Sequence, residues 1–410
     1  MSILIQNIKT LLLANDQYTN KVAGKDLNNI PTLNNAYLLI EGDRIAAWGS
    51  MADCPQRADQ IIDATGKFVL PTWCDSHTHL VFAATRETEF IDKIKGASYQ
   101  EIAKKGGGIL NSAKKLQQTP IEELVESAYL RLQEVQQYGT GAIEIKSGYG
   151  LTLEAEIKML RVIQQLKQRT AMPIKATFLG AHALPTKYKD NRQGYLDLLI
   201  KDMLPQIAAE GLADYIDVFC EKVAFSVAET EQILEAGAKY GLPPKIHTNQ
   251  FNCMGGIQAA IAHQAISVDH LEVINDEEIA ALQGSSTIGT LLPSAPFFLN
   301  DHYPQARKMI DAGLGVALAT DYNPGSTPSG NMPFVLSLAC IKMKMQPAEA
   351  LQAATINGAY ALQLADQLGS ISRGKLANVI ITKPMDSIAY MPYAFGTNWI
   401  DQVIIAGKPI

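Results

Sequence analysis

Cysteine is scarce in this 410-residue chain: there are five, Cys54, Cys74, Cys220, Cys253 and Cys340, scattered and never in a C-x-x-C spacing. An odd, dispersed set argues against a disulfide framework or a structural zinc site, and fits a reducing compartment. Runs rich in lysine and arginine are missing, and the net charge is -6, so neither nucleic acid nor an anionic membrane surface is expected as a partner. No apolar run is long enough to span a bilayer. The first ten residues alternate from the outset and carry no basic leader ahead of their apolar residues, which does not describe a signal peptide. Internal repeats and low-complexity segments are absent as well. A soluble, cytoplasmic protein is the expectation. What is present is apolar material for a sizeable core: 47% hydrophobic against 19% charged residues. The length exceeds one ordinary core but suits a barrel of about 250 residues plus a smaller domain.

The two ends of the chain read as short strands. Ala36–Ile40 and Arg44–Trp48 flank Glu41-Gly42-Asp43, a hairpin signal, and Ile61–Leu70 continues the pattern. Ala377–Thr382 and Gln402–Lys408 resemble them at the other end. A small β domain built from both termini is expected, a β-sandwich over residues 1–65 and 371–410. The middle, 66–370, alternates apolar runs with amphipathic stretches. The runs are Phe68–Pro71, Ala142–Ile145, Ile174–Leu179, Tyr215–Phe219, Lys245–Ile246, Ala265–Val268, Thr287–Leu292 and Gly315–Ala319. Helix-like segments such as Pro120–Tyr138, Leu153–Gln168, Gln193–Glu210 and Val227–Tyr240 lie between them. Near-continuous apolar strands alternating with helices mean a covered parallel sheet, and eight such units mean an α/β fold of the (β/α)8 TIM barrel type.

In such a barrel the chemistry lies at the C-terminal ends of the strands. Histidine is nearly as scarce as cysteine, with seven in the chain, yet His77, His79, His182, His247 and His270 all fall at those ends. His263 and His302 read as surface or loop residues. A lone His-x-His also fits a solvated strand face, but the concentration at strand ends favours a metal site. In an extended chain His77 and His79 point to one side, aiming two imidazoles at one point. His77, His79, His247 and Asp321 form the ligand set of choice: three nitrogens and a carboxylate leave one coordination position for an activated water. Asp321 could also carry the water's proton to a leaving nitrogen; the bland alternative is a helix N-cap. His182 and His270 are either core imidazoles or a carbonyl polariser and general acid/base. Lys146 at its apolar strand end could be a carbamylated bridge between two metals, and Tyr149 in the following Gly-flanked loop suits substrate contact. Arg86, on the first loop over the barrel mouth, could fork onto a substrate carboxylate. Gly106-Gly107-Gly108 on the same loop allows close backbone approach or lid movement.

Asp75-Ser76-His77-Thr78-His79 opening a barrel, a lone His after the fifth strand and Asp321 after the eighth resemble the amidohydrolase superfamily. Gly369–Asn378 resembles its return into the β domain, with Asn378 where Asp is commoner. Within the superfamily, His77–Ala83, Gly106–Ile109, Glu144–Leu151, Thr177–His182, Asp217–Glu221 and Asp321–Ser326 resemble the imidazolonepropionases, in order along nearly the whole chain. The resemblance implies hydrolysis of the ring amide of 4-imidazolone-5-propanoate to N-formimidoyl-L-glutamate. It implies one zinc or iron ion on His77, His79, His247 and Asp321, and substrate contacts from Arg86, Tyr149, His182, Gln250, Asn323, Gly325 and Ser326. It also implies a catalytic or supporting imidazole at His270 and a homodimer. Deaminases of the superfamily place Glu where this chain has Gln250, and an amide cannot titrate. Asn249 stands where an acidic residue is common.

Three other functions compete. Another mononuclear amidohydrolase, such as a heterocycle aminohydrolase, would release ammonia. A binuclear cyclic amidase would use carbamylated Lys146. A non-catalytic barrel would keep the metal for stability or binding.

Overall fold

The computed structural model describes residues 1–17, 19–96 and 107–410. Gly106, and with it part of the expected glycine lid, lies outside the described residues. The N-terminal strands are β1 (Ser2–Leu12), β2 (Thr32–Glu41), β3 (Arg44–Ser50), β4 (Gln60–Asp63) and β5 (Phe68–Pro71). The barrel strands follow as β6 (Trp73–Asp75), β7 (Thr140–Lys146), β8 (Ile174–Ala181), β9 (Tyr215–Cys220), β10 (Pro244–Thr248), β11 (Ser267–His270), β12 (Ile288–Leu291) and β13 (Val316–Leu318). The chain returns as β14 (Val379–Thr382), β15 (Ile400–Ile405) and β16 (Lys408–Pro409).

Strands from both termini interleave in one mixed sheet, in the order β16-β15-β14-β5-β1-β2-β3, with β4 also paired to β1. The predicted hairpin forms between β2 and β3, with Glu41 opposite Arg44 and Gly42 at a φ of 61° that suits glycine. A bulge in β1 between Ile5 and Ile8, with Asn7 left-handed, re-aims the strand. Ile3, Ile5, Ile8, Leu38, Ile40, Val69, Val379, Ile381 and Ile404 then share one apolar core.

The eight barrel strands are parallel and run in chain order. The barrel closes just beyond the ends of its first and last strands. Thr78 bridges Tyr322, the His79 N–H donates to the Tyr322 carbonyl at 2.9 Å, and the Asp321 N–H donates to the His77 carbonyl at 3.0 Å. The seam that closes the barrel is thus made of His77, His79 and Asp321 themselves. Seven of the expected runs are barrel strands, but Phe68–Pro71 is not. It pairs with β1 and β14 in the mixed sheet, and the barrel opens with Trp73–Asp75. Both strands are fully buried, and only Thr72 separates Phe68–Pro71 from the apolar Trp73 and Cys74, so the change of sheet leaves little mark in hydropathy.

The outer helices follow their sequence signals. Ile121–Gln137 buries Leu124, Val125, Ala128, Leu132 and Val135, one helical stripe. Leu153–Arg169 starts on the Thr152 cap and Val227–Ala238 on a Ser226/Glu229 capping box. The expected helix over Gln193–Glu210 is interrupted by a π-helical stretch at Leu198–Met203. Asn378 ties sheet to barrel: its Nδ2 donates to the Gly141 carbonyl at 2.8 Å, and its Oδ1 accepts from the Ala406 N–H at 2.7 Å. Asparagine does both jobs, whereas a carboxylate could not donate. Among the described residues no helix is long and apolar enough to cross a membrane.

Candidate active site

Period-two alternation sends every second side chain of a barrel strand into the interior. At the C-terminal mouth this brings His77, His79, His247, His270 and Asp321 together, all buried. His77 Nε2 and His79 Nε2 lie 3.6 and 3.7 Å from Asp321 Oδ1, and His79 Nε2 lies 3.4 Å from His247 Nε2. The ligand atoms of His77, His79 and His247 all fall within 4.8 Å of one another, as do those of His77, His270 and Asp321. Bonds of about 2.0–2.1 Å to a tetrahedral ion require donor separations of roughly 3.3–3.4 Å. The spacing therefore fits one ion.

The remaining ring nitrogens support that fit. Asp269 Oδ2 sits 2.7 Å from His77 Nδ1 and Asp217 Oδ2 sits 2.9 Å from His247 Nδ1, the second contact out of line for a full hydrogen bond. A carboxylate beside Nδ1 keeps the proton there and leaves the Nε2 lone pair facing the centre. Among the described residues His77 Nε2 is buried without a hydrogen-bond partner. Burial, then the nearby cations, hold His77, His79 and His247 well below the ordinary imidazole range, so their lone pairs are free. This is a histidine-rich group able to hold a metal ion.

Asp321 is left-handed at φ 56°, a conformation Asp tolerates. Burial pushes its carboxyl up to about 6, against the pull of His270 and hydrogen bonds from Asn323 and Ser326. His270 is different from the other imidazoles. Burial would depress it, but the Glu272 carboxylate at 3.2 Å, then Asp321 and Asp269, raise it to about 9. It stands as a charged donor beside Asp321. His270 and Leu271 are both left-handed, at φ 90° and 70°, strain of the kind concentrated at functional sites. His182 is pushed down to about 4 by burial, and its Nδ1 donates to the Gly148 carbonyl at 3.1 Å. A Cβ on Gly148 would come within 2.9 Å of that Nδ1, so glycine allows the approach. His182 stacks on His79, with ring centroids 5.0 Å apart.

Around this centre the Tyr149 ring lies 5.9 Å from His79 and 5.5 Å from His182, with the Arg86 guanidinium carbon 5.8 Å away. Arg86 Nε donates to Ser112 Oγ at 2.9 Å, while its Nη2 is buried with no hydrogen-bond partner among the described residues. A Cβ on Gly325 would meet Arg86 Nη1 at 2.6 Å, so a side chain there would displace the guanidinium from its present place. Asn323 organises the loop: its Nδ2 donates to the Asp321 carbonyl at 2.7 Å, and its Oδ1 accepts from the Gly325 and Ser326 N–H groups. Ser326 Oγ donates to Asp321 Oδ2 at 3.3 Å. Gln250 is half-buried on the loop after β10, and among the described residues no hydrogen bond ties its amide to the cluster. Asn249 turns away to Glu278, 2.7 Å from its Nδ2. His302 is exposed and pairs with Asp301.

The carbamylated bridge does not survive. Lys146 is fully buried, its Nζ 2.6 Å from Glu144 Oε1, 2.8 Å from Asp217 Oδ2 and 3.6 Å from Asp269 Oδ2. These carboxylates outweigh burial and hold it as an ammonium, and a carbamate would add a fourth negative charge among them. Asp217, Asp269, Glu272 and Glu156 had no role assigned from sequence. Glu156 accepts from the Gly148, Gly150 and Leu151 N–H groups and so holds the Tyr149 loop. For Asp217 the usable signal was an acidic residue inside an otherwise apolar strand, and for Asp269 one directly after the apolar run Ala265–Val268.

The model of the amidohydrolase family matches residues 68–410. A curated imidazolonepropionase of Christiangramia forsetii is 58% identical over the whole of both chains. The chain belongs to the imidazolonepropionase family of the amidohydrolases. A second member, from Flavobacterium johnsoniae, is also 58% identical over both full lengths, and one from Shouchella clausii is 42% identical, covering 94% of this chain and 87% of that one. The fold is shared with a guanine deaminase of C. acetobutylicum, at a TM-score of 0.72 and 14% identity over the whole of both chains. A triazine hydrolase variant gives 0.71 and 17% over 100% of this chain and 94% of that one. The chain is a hydrolase, and the deaminase alternative is not favoured by its full-length relatives.

Proposed function

We propose that this chain hydrolyses the ring amide C–N bond of 4-imidazolone-5-propanoate to N-formimidoyl-L-glutamate, with one zinc or iron ion held by His77, His79, His247 and Asp321. The observation that carries the reading is the buried Nη2 of Arg86, without a hydrogen-bond partner among the described residues, beside the Tyr149 ring that also lies against His79 of the convergent donors: a cation placed there can take a substrate carboxylate. When bound, such an ion polarises a carbonyl and lowers the pKa of a water towards about 7.

The chain's own residues do the rest. Arg86 forks onto the propionate, with Ser112 fixing the guanidinium from behind. Tyr149 and His182 flank the ring. The Gly148 carbonyl keeps the His182 proton on Nδ1, so Nε2 accepts, and His182 takes a ring N–H rather than supplying a proton. His270, charged through Glu272, donates to the oxygen on which negative charge develops. Asp321 takes the attacking water's proton and hands it to the leaving ring nitrogen, Ser326 and Thr327 steadying its second oxygen. Asn323 and Gly325 shape the loop against the substrate, and Gln250 offers an amide to a polar group of it. The same reading carries a homodimer in the cytoplasm, acting on a small molecule, with no nucleic-acid or membrane partner.

The test is a direct assay on enzyme stripped with chelator and reloaded with zinc or ferrous ion. Loss of imidazolone absorbance matched by formimidoyl-glutamate supports the reading; a reloaded enzyme that leaves the substrate intact overturns it.

A further inference from the structure

We propose that Lys146 is a positioning residue for the metal centre. Its ammonium fixes Asp217 and Asp269 so that each presents the same oxygen to an imidazole Nδ1, and both Nε2 lone pairs are thereby turned towards the ion. The inference rests on the ligand set proposed above.

Lys146 lies on β7, a strand that supplies none of those ligands, and its side chain is wholly buried. The atoms it touches are shared. Asp217 Oδ2 is 2.8 Å from Lys146 Nζ and 2.9 Å from His247 Nδ1. Asp269 Oδ2 is 3.6 Å from Lys146 Nζ and 2.7 Å from His77 Nδ1. One cation therefore stands behind two carboxylates, and through them behind ligands from opposite parts of the barrel.

A carboxylate's terminal torsion is soft, and a single imidazole does not set it. The other anchors complete the cage. Asp269 Oδ1 accepts from Ser267 Oγ at 2.6 Å, and Asp217 Oδ1 accepts from the His247 N–H at 3.2 Å. Glu144 holds Lys146 from the third side and pairs with Lys245, whose Nζ also donates to the Ser76 carbonyl beside His77. The layer contains Glu144, Asp217 and Asp269 against Lys146 and Lys245, and Lys245 pairs with Glu144, so losing Lys146 removes the cation that Asp217 and Asp269 share. Removing a group that orients a ligating histidine typically weakens metal binding by about 10- to 100-fold.

The sign of the effect makes the proposal testable. A bare positive charge repels a dication, so if Lys146 acted only through space its removal would tighten zinc binding. As a positioning residue its removal weakens it. Zinc affinity is measured on the stripped full-length protein by competition with a chromophoric chelator, in wild type, His77→Ala, Lys146→Met and Lys146→Gln. The visible spectrum of each protein loaded with cobalt(II) reports ligand geometry. The expected result is a 10- to 100-fold weaker Lys146→Met with an altered cobalt spectrum, and Lys146→Gln, which keeps uncharged N–H donors, in between. Should Lys146→Met fail to fold by circular dichroism, Lys146→Gln decides on the same readouts. Wild-type affinity and spectrum in His77→Ala would overturn the ligand set itself. A weakened His77→Ala beside unchanged or tighter binding in the Lys146 variants would leave the ligand set standing and overturn the role of Lys146.

Discussion

Replacing Arg86 by alanine removes the cation at the site that, among the described residues, has a buried donor without a partner. Its Nε is already committed to Ser112 at 2.9 Å, so the guanidinium is pre-oriented and little ordering cost falls on substrate binding. Truncating one partner of a buried, hydrogen-bonded charge pair costs about 2–5 kcal/mol. At 1.4 kcal/mol per tenfold, kcat/KM for the propionate substrate should fall roughly 30- to several-thousand-fold. The propionate does not react, so the loss should sit mainly in KM. The assay compares steady-state hydrolysis of 4-imidazolone-5-propanoate with that of an imidazolone lacking the side chain. For the truncated ring, Arg86→Ala should resemble wild type. Equal losses on both would refute the anchor and assign Arg86 to the pocket's structure. Ser112→Ala, which frees the guanidinium without removing it, should shift KM in the same direction by a smaller factor.

Other outcomes follow from the same geometry. Asp321→Asn keeps the shape but cannot take a proton, and turnover should drop by about 100-fold or more; full activity would remove Asp321 from proton transfer. In metal-free protein, His270 is raised to about 9 from 6.5, so it contributes stability fully present below the unfolded value and lost as pH rises through 9. Asp321 is raised as well, to about 6, and acts in the same direction at lower pH. Thermal melts of stripped enzyme should therefore fall between pH 6 and pH 9, with a flatter curve for His270→Asn; an unchanged slope would discount the charged state of His270. Zinc at 1,000 times its dissociation constant should stabilise the fold by about 4 kcal/mol, read as a raised melting temperature that chelator reverses.

The barrel was legible because hydropathy reports burial: seven of its strands are buried runs, and six of those lead into a polar residue. The eighth was misplaced for the same reason: Phe68–Pro71 and Trp73–Asp75 are buried at every position, with only Thr72 between them, and are shared between two sheets. The cluster of His77, His79, His182, His247 and His270 was visible because histidine is rare and period-two strands aim it inward. What supports the cluster was not. Asp217 and Asp269 take their roles from neighbours far away in the chain, such as Asp269 meeting His77, and one sequence carries no sign of that pairing. Lys146 shows the difficulty best. At an apolar strand end a lysine suggests a neutral amine ready for carbamylation, whereas three carboxylates from β7, β9 and β11 make it a fixed cation.

The most direct measurement is product analysis on the metal-loaded enzyme. The account predicts that imidazolone absorbance disappears in step with formimidoyl-glutamate formation, that no ammonia is released, and that chelator stops the reaction until metal is restored. Ammonia appearing in step with substrate loss, or turnover that survives complete metal removal, would contradict it.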